Sequence, residues 1–333
     1  MDLEKTNLPQ AKDTLAHLEE IQALLPDVRQ YIRRHEPGYW PEMVSVLSVV
    51  ADEPLGPLAN LPLASCAAVG GDPEEAIPAA AAWEVLNLGV RILDDLQDRD
   101  TPDGLWARVG VPRAFNFSAA LYAFCNELLV RASWTNERYR AISRTFTLEV
   151  MRLAAGQDRD LRAETRTIDD YWETITDKNA SAFALACTAG AQCGTDVRAL
   201  VDACRTFGHH LGLALQLFDD FEGLWEPPGR SDLEMGKTTL PILYGLGVEH
   251  RRRGELEKLV CEGEAAANEN VVRAILDGIH AREFMIWTAL MEREQAVGAL
   301  APCPGKVGVS ALTAYITAIF AHVEDILEDG GSS

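Results

Sequence analysis

Two apolar stretches of this 333-residue chain end in carboxylates: AAAAWEVLNLGVRIL runs into Asp94-Asp95-Leu96-Gln97-Asp98, and GHHLGLALQLF runs into Asp219-Asp220-Phe221-Glu222-Gly223. Residues four apart on a helix share a face, so Leu86, Val90, Asp94 and Asp98 form one stripe that turns from apolar to anionic. Mg²⁺ takes oxygen ligands, keeps several waters and bridges one or two carboxylates to substrate phosphates. Buried carboxylates without a cation are costly. The same device built twice predicts two acidic clusters facing each other across an apolar pocket that holds a hydrocarbon and metal ions together.

The elements that must position these groups are helices. Apolar residues recur at three and four residue spacings, and period-two alternation rich in Val, Ile and Thr is almost absent. The pattern predicts helices near 10–34, 41–51, 57–69, 74–98, 113–133, 135–155, 167–192, 196–225, 238–249, 254–263, 268–279, 281–299 and 307–328. No long Ser/Gly linker interrupts them, so the expectation is one all-α domain over 1–333, a helical bundle with flexible ends at 1–9 and 329–333. Loops are expected at 35–38, 70–73, 99–112 and 227–236, and two of these directly follow the acidic clusters, where ligand contacts collect.

Composition narrows the function. Thirty Lys and Arg stand against 51 Asp and Glu, a net charge of −21 that opposes nucleic acid and anionic membrane surfaces as partners. A phosphate-bearing substrate then needs metal ions or local basic groups. Seven cysteines without CxxC or Cys/His spacing read as apolar residues in a reducing compartment and argue against zinc. With no basic-then-apolar leader and no run of about 18 apolar residues, a soluble cytoplasmic protein is expected.

Lys237, after the loop that follows the second cluster, is placed to reach back toward a diphosphate, and Lys178 in Asp177-Lys178-Asn179-Ala180-Ser181 is a further basic candidate. Arg91 lies one turn before Asp95, to pair with that carboxylate or reach a phosphate. Gln216 precedes Asp220 by one turn. The adjacent His209 and His210 point different ways on a helix and are given no role.

Five ordered segments carry a family resemblance. WEVLNLGVRILDDLQD, Gly156-Gln157-Asp158 with Asp160-Leu161, YWETITDKNASAFALACTAGA, LGLALQLFDDFEG and SDLEMGKTTLPILYGL resemble the motifs of the trans-isoprenyl diphosphate synthases (the polyprenyl synthetase family), from about Gly70 to the last helix. The resemblance implies an isoprenoid synthase bundle around a central cavity, a homodimer, and three Mg²⁺ ions bridging the Asp clusters to an allylic prenyl diphosphate. By that carry-over Asp94, Asp95 and Asp98 hold two ions and Asp219, with Asp220, holds the third. Lys178, Lys237 and Gln216 touch the diphosphate.

The chain also departs from the family. Chain-elongating members carry a Gly-Lys-x-x-Arg-Pro-like segment before the first motif and an Arg pair after it, to bind isopentenyl diphosphate. Here residues 54–59 read Pro-Leu-Gly-Pro-Leu-Ala, and Thr101-Pro102-Asp103-Gly104-Leu105-Trp106-Ala107 stands where the Arg pair belongs, with only Arg108 nearby. Histidines expected before the first motif are Asn87 and Leu93, and the second motif ends in Gly223 instead of Asp. Arg29, Arg33, Arg34, Arg91 and Arg113 are the other basic residues within reach of a substitute site.

These departures lead to an expected main activity: ionisation of an allylic diphosphate, release of diphosphate, and cyclisation or rearrangement of the cation, as in class I terpene synthases. Their second metal motif resembles Asp219, Gly223 and Glu226, which adds Glu226 as a ligand. The small Gly89 and Val90 below Asp94 leave depth for a C15 to C20 or longer substrate. Trp83, Phe115, Phe117, Tyr122, Phe124 and Phe218 are candidate lining aromatics. The alternatives are chain elongation with isopentenyl diphosphate through a rebuilt second site, prenyl transfer to a non-isoprenoid acceptor, and a catalytically silent partner subunit.

Overall fold

A computed structural model describes residues 16–52, 57–98, 104–162, 165–227 and 230–330. Among them there are helices and turns and no strand, so the all-α expectation holds. Flexible ends were expected at 1–9 and 329–333; 1–9 and 331–333 lie outside the described residues, as do 54–56, 101–103 and the side chain of Asp98, while 329 and 330 belong to the last helix.

The chain separates into two compact units: one takes in residues 1–148, 185–205 and 300–322, the other 149–184, 206–299 and 323–333. In the first, α1 (Leu25–His35), α2 (Pro41–Ala51) and α3 (Asn60–Ala68) surround α4 (Ile77–Asp98), which packs most extensively on α6 (Val111–Val130). Prolines in the first turns of α1, α2 and α6 pre-set the backbone where its N–H has no helical acceptor. The chain enters α4 through a short 3₁₀ turn, Pro73–Ala76, whose Asp72 cap accepts the Glu74 N–H at 3.0 Å.

Ala79 to Ala82, Val85 and Leu86 are all at most 1% exposed, so the upper part of α4 is buried on every side. This explains the one helix among the described residues long and apolar enough to cross a bilayer, 73–97: 67% of its apolar window is buried in protein, as in a core helix. The expected loop at 99–112 contains a short helix, α5 (Leu105–Val109), stopped by Gly110 at φ 85°.

α7 (Asn136–Leu161), α9 (Ser181–Gly194) and α10 (Arg198–Trp225) each divide their residues between the two units. The remaining helices are α8 (Ile168–Ile175), α11 (Leu240–Gly247), α12 (Arg253–Cys261), α13 (Glu269–Asp277), α14 (Ala281–Ala299) and α15 (Lys306–Gly330). The helix expected over 167–192 is interrupted: α8, opened by a Thr167/Asp170 capping box, passes through a π turn at Thr176–Ala180 before α9 begins. In the second unit Leu224, Leu233, Ile242, Leu256, Ile275 and Leu276 form a buried apolar cluster.

Candidate functional site

In the first unit, Asp94 and Asp95 are half-buried at the end of α4 and line a pocket of about 820 Å³. Arg91, one turn earlier, lines it too. Arg108 arrives from α5 and Arg113 from the first turn of α6, where its guanidinium lies 5.7 Å from the Phe117 ring centroid. Arg91, Arg108 and Arg113 thus line the same pocket as Glu42, Asp94 and Asp95, in a chain of net charge −21. Sequence spacing separates Arg91, Arg108 and Arg113, and only the folding of α5 and α6 against α4 gathers them. Arg33, by contrast, pairs with Asp52 on the surface.

Below this pocket Glu84 is 6% exposed, and burial pushes its carboxyl up to about 7, with the Arg91 charge opposing. Gly89 does not open depth beneath Asp94. A β-carbon there would meet the Leu121 Cβ at 3.2 Å, and the Ser118 hydroxyl donates to its carbonyl at 2.8 Å, so its smallness serves the close approach of α4 and α6. Val90 is half-buried. Trp83, Phe117 and Phe124 are buried, whereas Phe115 is 58% exposed on α6.

In the second unit the two neighbouring aspartates have different surroundings. Asp220 is enclosed: its Oδ2 accepts the Tyr171 hydroxyl at 2.7 Å and the Leu240 N–H at 3.4 Å, and its Oδ1 accepts the Gln216 amide at 2.6 Å. Burial nevertheless pushes its carboxyl up to about 7, and both oxygens already have protein donors. The geometry therefore makes Gln216 a partner of Asp220 and makes Asp220 a fixture of the helix end.

Asp219 is open to solvent. Desolvation by the protein around it, then the charges of Glu222 and Asp232, push its carboxyl up to about 6, with Lys237 opposing. Glu222 and Asp232 carry no sequence signal as site residues, since neither matches a ligand spacing. Glu226 is exposed, one residue past the last turn of α10. Among the described residues no three His, Cys, Asp or Glu side chains converge to cage an ion by themselves.

Lys178 stands on the π turn, half-buried and paired with Asp160 on α7, while the neighbouring Arg159 and Asp177 pair at 2.7 Å. The Gly156 to Leu161 segment and the lysine segment are thus cross-linked by two ion pairs. His209 and His210 are both half-buried, and the Nδ1 of His210 lies 2.6 Å from the Glu292 carboxylate, a pairing that spacing alone did not foretell.

The family model described as polyprenyl synthetase matches residues 59–279. The chain belongs to the polyprenyl synthetase family. Among its relatives, a Mycobacterium tuberculosis geranylgeranyl diphosphate synthase is 33% identical over 229 residues, which span 65% of each protein. A (2E,6E)-farnesyl diphosphate synthase of Mycobacterium bovis is 31% identical over 254 residues, 69% of this chain and 68% of the relative. The matched segment thus spans about two thirds of these relatives' length.

Among solved structures, polyprenyl synthetase from Streptomyces coelicolor superposes with a TM-score of 0.76 at 25% identity, covering 91% of this chain and 99% of that one. Geranylgeranyl pyrophosphate synthetase from Pyrococcus horikoshii gives 0.81 at 22% identity, covering 93% and 99%, a likeness of fold.

Proposed function

We propose that this protein is a chain-elongating trans-prenyl diphosphate synthase, which joins an allylic prenyl diphosphate to isopentenyl diphosphate. The allylic C–O bond breaks and diphosphate leaves; a C–C bond forms to the isopentenyl double bond, and a proton is lost from the adjacent carbon. Membership of the polyprenyl synthetase family and relatives named geranylgeranyl and farnesyl diphosphate synthases support elongation over the terpene cyclisation expected from the sequence.

The observation that carries the reading is the convergence of Arg91, Arg108 and Arg113 on the pocket of Asp94 and Asp95. The family's basic segments are missing from this chain, and these three guanidinium groups are the cations that take their place for a second diphosphate. A charge-assisted contact contributes about 1.5–3 kcal/mol, so two or three of them compensate for the lost motif.

Asp94, Asp95 and Asp98 and, separately, Asp219 would hold Mg²⁺, which would supply neutralisation of the departing diphosphate. Lys178 and Lys237 bind phosphate oxygens. Asp220 stays outside this ligand set and instead orients the end of α10 through Tyr171 and Gln216. The donor set is all oxygen and anionic, which fits a hard dication.

Cyclisation remains the second reading on one observation, the absence of Lys and Arg from residues 54–59. The deciding experiment incubates purified protein and Mg²⁺ with C10, C15 and C20 allylic diphosphates, each with and without isopentenyl diphosphate, followed by mass spectrometry. Longer diphosphates formed only when isopentenyl diphosphate is present bear out elongation. Hydrocarbon or alcohol from one substrate alone overturns it in favour of cyclisation, and silence in every tube overturns both in favour of another acceptor or a partner subunit.

A further inference from the structure

The last turn of α10 and the loop that leaves it are both tied to one side of α13. Residues 269, 273 and 277 stand about one turn apart on that helix, and each makes a polar contact with this region. The Arg273 Nε donates to the Leu224 carbonyl at 2.7 Å, and its Nη2 donates to one oxygen of the Glu269 carboxylate at 2.7 Å. The other oxygen of Glu269 accepts the Ser231 hydroxyl, and Asp277 accepts the Trp225 indole N–H at 2.9 Å. From the first turn of α14, Arg282 stands over both the Phe221 and the Trp225 rings, 5.6 Å from each centroid.

The Leu224 carbonyl is among the last of α10, which have no donor further along their own helix, and a guanidinium there also meets the negative end of the helix dipole. The planar fork of Arg273 fixes the spacing between this helix end and Glu269, as an ammonium on a flexible stem would not. The apolar face of α13 anchors the arrangement, because Val272, Ile275 and Leu276 share a buried cluster with Leu224 and Leu233. Ser231 opens the turn that ends at Lys237. The Met235 N–H donates to the Ser231 carbonyl at 3.1 Å and the Lys237 N–H to the Asp232 carbonyl at 2.9 Å, with Gly236 at φ 71° permitting the reversal. Ser231 is buried, while Lys237 is solvent-exposed. The loop is thus held at its departure through Leu224 and at its return through Ser231, and Arg273 serves both.

We propose that Arg273 is a positioning residue for the diphosphate: through Leu224 and the link from Glu269 to Ser231 it fixes the end of α10 and the turn 231–237 relative to each other, so that the Lys237 ammonium is presented to phosphate oxygens. The inference rests on the assignment of Lys237 to the phosphate made above, whether the product is elongated or cyclised. Arg273 itself touches no substrate. Its effect on binding passes through Lys237, which separates it from a residue that only supports the fold.

The test is a double-mutant cycle on the binding of inorganic pyrophosphate, followed by calorimetry with Mg²⁺ in the full-length protein, for wild type, Arg273→Gln, Lys237→Gln and the pair. Lys237→Gln is expected to weaken binding about tenfold or more, the loss of one charge-assisted contact. Arg273→Gln is expected to weaken it about threefold or more beside Lys237, and to have no further effect in the Lys237→Gln background. Circular dichroism verifies folding. If Arg273→Gln does not fold, Ser231→Ala, which cuts the same link at its far end, takes its place in the cycle with the same expectation. Equal weakening with and without Lys237, or no weakening in either background, overturns the inference and leaves the diphosphate reading standing. A wild type that binds no pyrophosphate overturns that reading as well, and a Lys237→Gln variant that binds it as the wild type does overturns the role of Lys237 together with the inference.

Discussion

Gly156 on α7 lies directly against the backbone of Lys178: a β-carbon at position 156 would fall 2.7 Å from the Lys178 Cα. The neighbour is main chain within a π turn, which cannot swing aside as a side chain tip does. Gly156→Ala is therefore expected to cost about 1–3 kcal/mol as overpacking, measured by urea unfolding. It should also weaken pyrophosphate binding, because it moves the lysine proposed to bind the phosphate.

With Lys178 bound to phosphate as proposed, Asp160 would compete for its ammonium group. Asp160→Asn is expected to leave stability within about 1 kcal/mol of wild type, as for other partly exposed pairs, while pyrophosphate binding by calorimetry becomes tighter. Lys178→Gln should weaken binding in the same titration. Weaker binding in Asp160→Asn would mean that the carboxylate orients Lys178 and does not compete for it.

The adjacent aspartates at the end of α10 should separate by phenotype. Tyr171→Phe removes a donor from buried Asp220 and is expected to cost about 1–3 kcal/mol of stability, with Mn²⁺ binding retained. Asp219→Asn should do the opposite, leaving the thermal midpoint near wild type or above it and removing a metal site.

Acid should stabilise the metal-free protein. Burial raises the Glu84 and Asp220 carboxyls to about 7 and Asp219 to about 6, against ordinary values of 4.5 and 3.8. A folded-state pKa above the unfolded one means that the folded state binds protons more tightly. The stabilisation is fully present below about 4 and is lost as pH rises through 6 to 7. Thermal midpoints in chelator are expected to fall steadily between pH 5.5 and 8, and a midpoint rising over that range would contradict these shifts.

Arg108 and Arg113 should mark the second substrate. Alanine at either position is expected to raise KM for isopentenyl diphosphate about tenfold or more, the loss of one charge-assisted contact, with little change in KM for the allylic substrate. Equal effects on both substrates would place the arginines on a shared phosphate or on the fold.

Much of this architecture was legible in the sequence. The 41–51 and 281–299 periods are borne out to the residue as α2 and α14, because a proline opens the first and both are long enough for the 3.6 period to stand clear. α5 was missed, since five residues carry no period, and the π turn was missed because a continuous apolar stripe hides one extra residue. Asp94 and Asp95 line a pocket with residues of the helices around them, not with the second cluster that their spacing set opposite. The distinction between Asp219 and Asp220 could not be read, because adjacent helical residues point about 100° apart and only the neighbours reveal which one is enclosed. Arg91, Arg108 and Arg113 could be named from the sequence as basic candidates, but which of the candidates gather at Asp94 and Asp95 is set by the packing of the helices around them.

The π turn at Thr176–Ala180 also sets a phase. It holds one residue more than an α-helical turn, so everything before it is rotated by about 100° relative to a straight helix continued into α9. Tyr171 meets Asp220 in that rotated frame. A single-residue deletion between 176 and 180 would restore regular winding and carry the phenol away from the carboxylate, so this stretch should tolerate substitutions far better than changes in length.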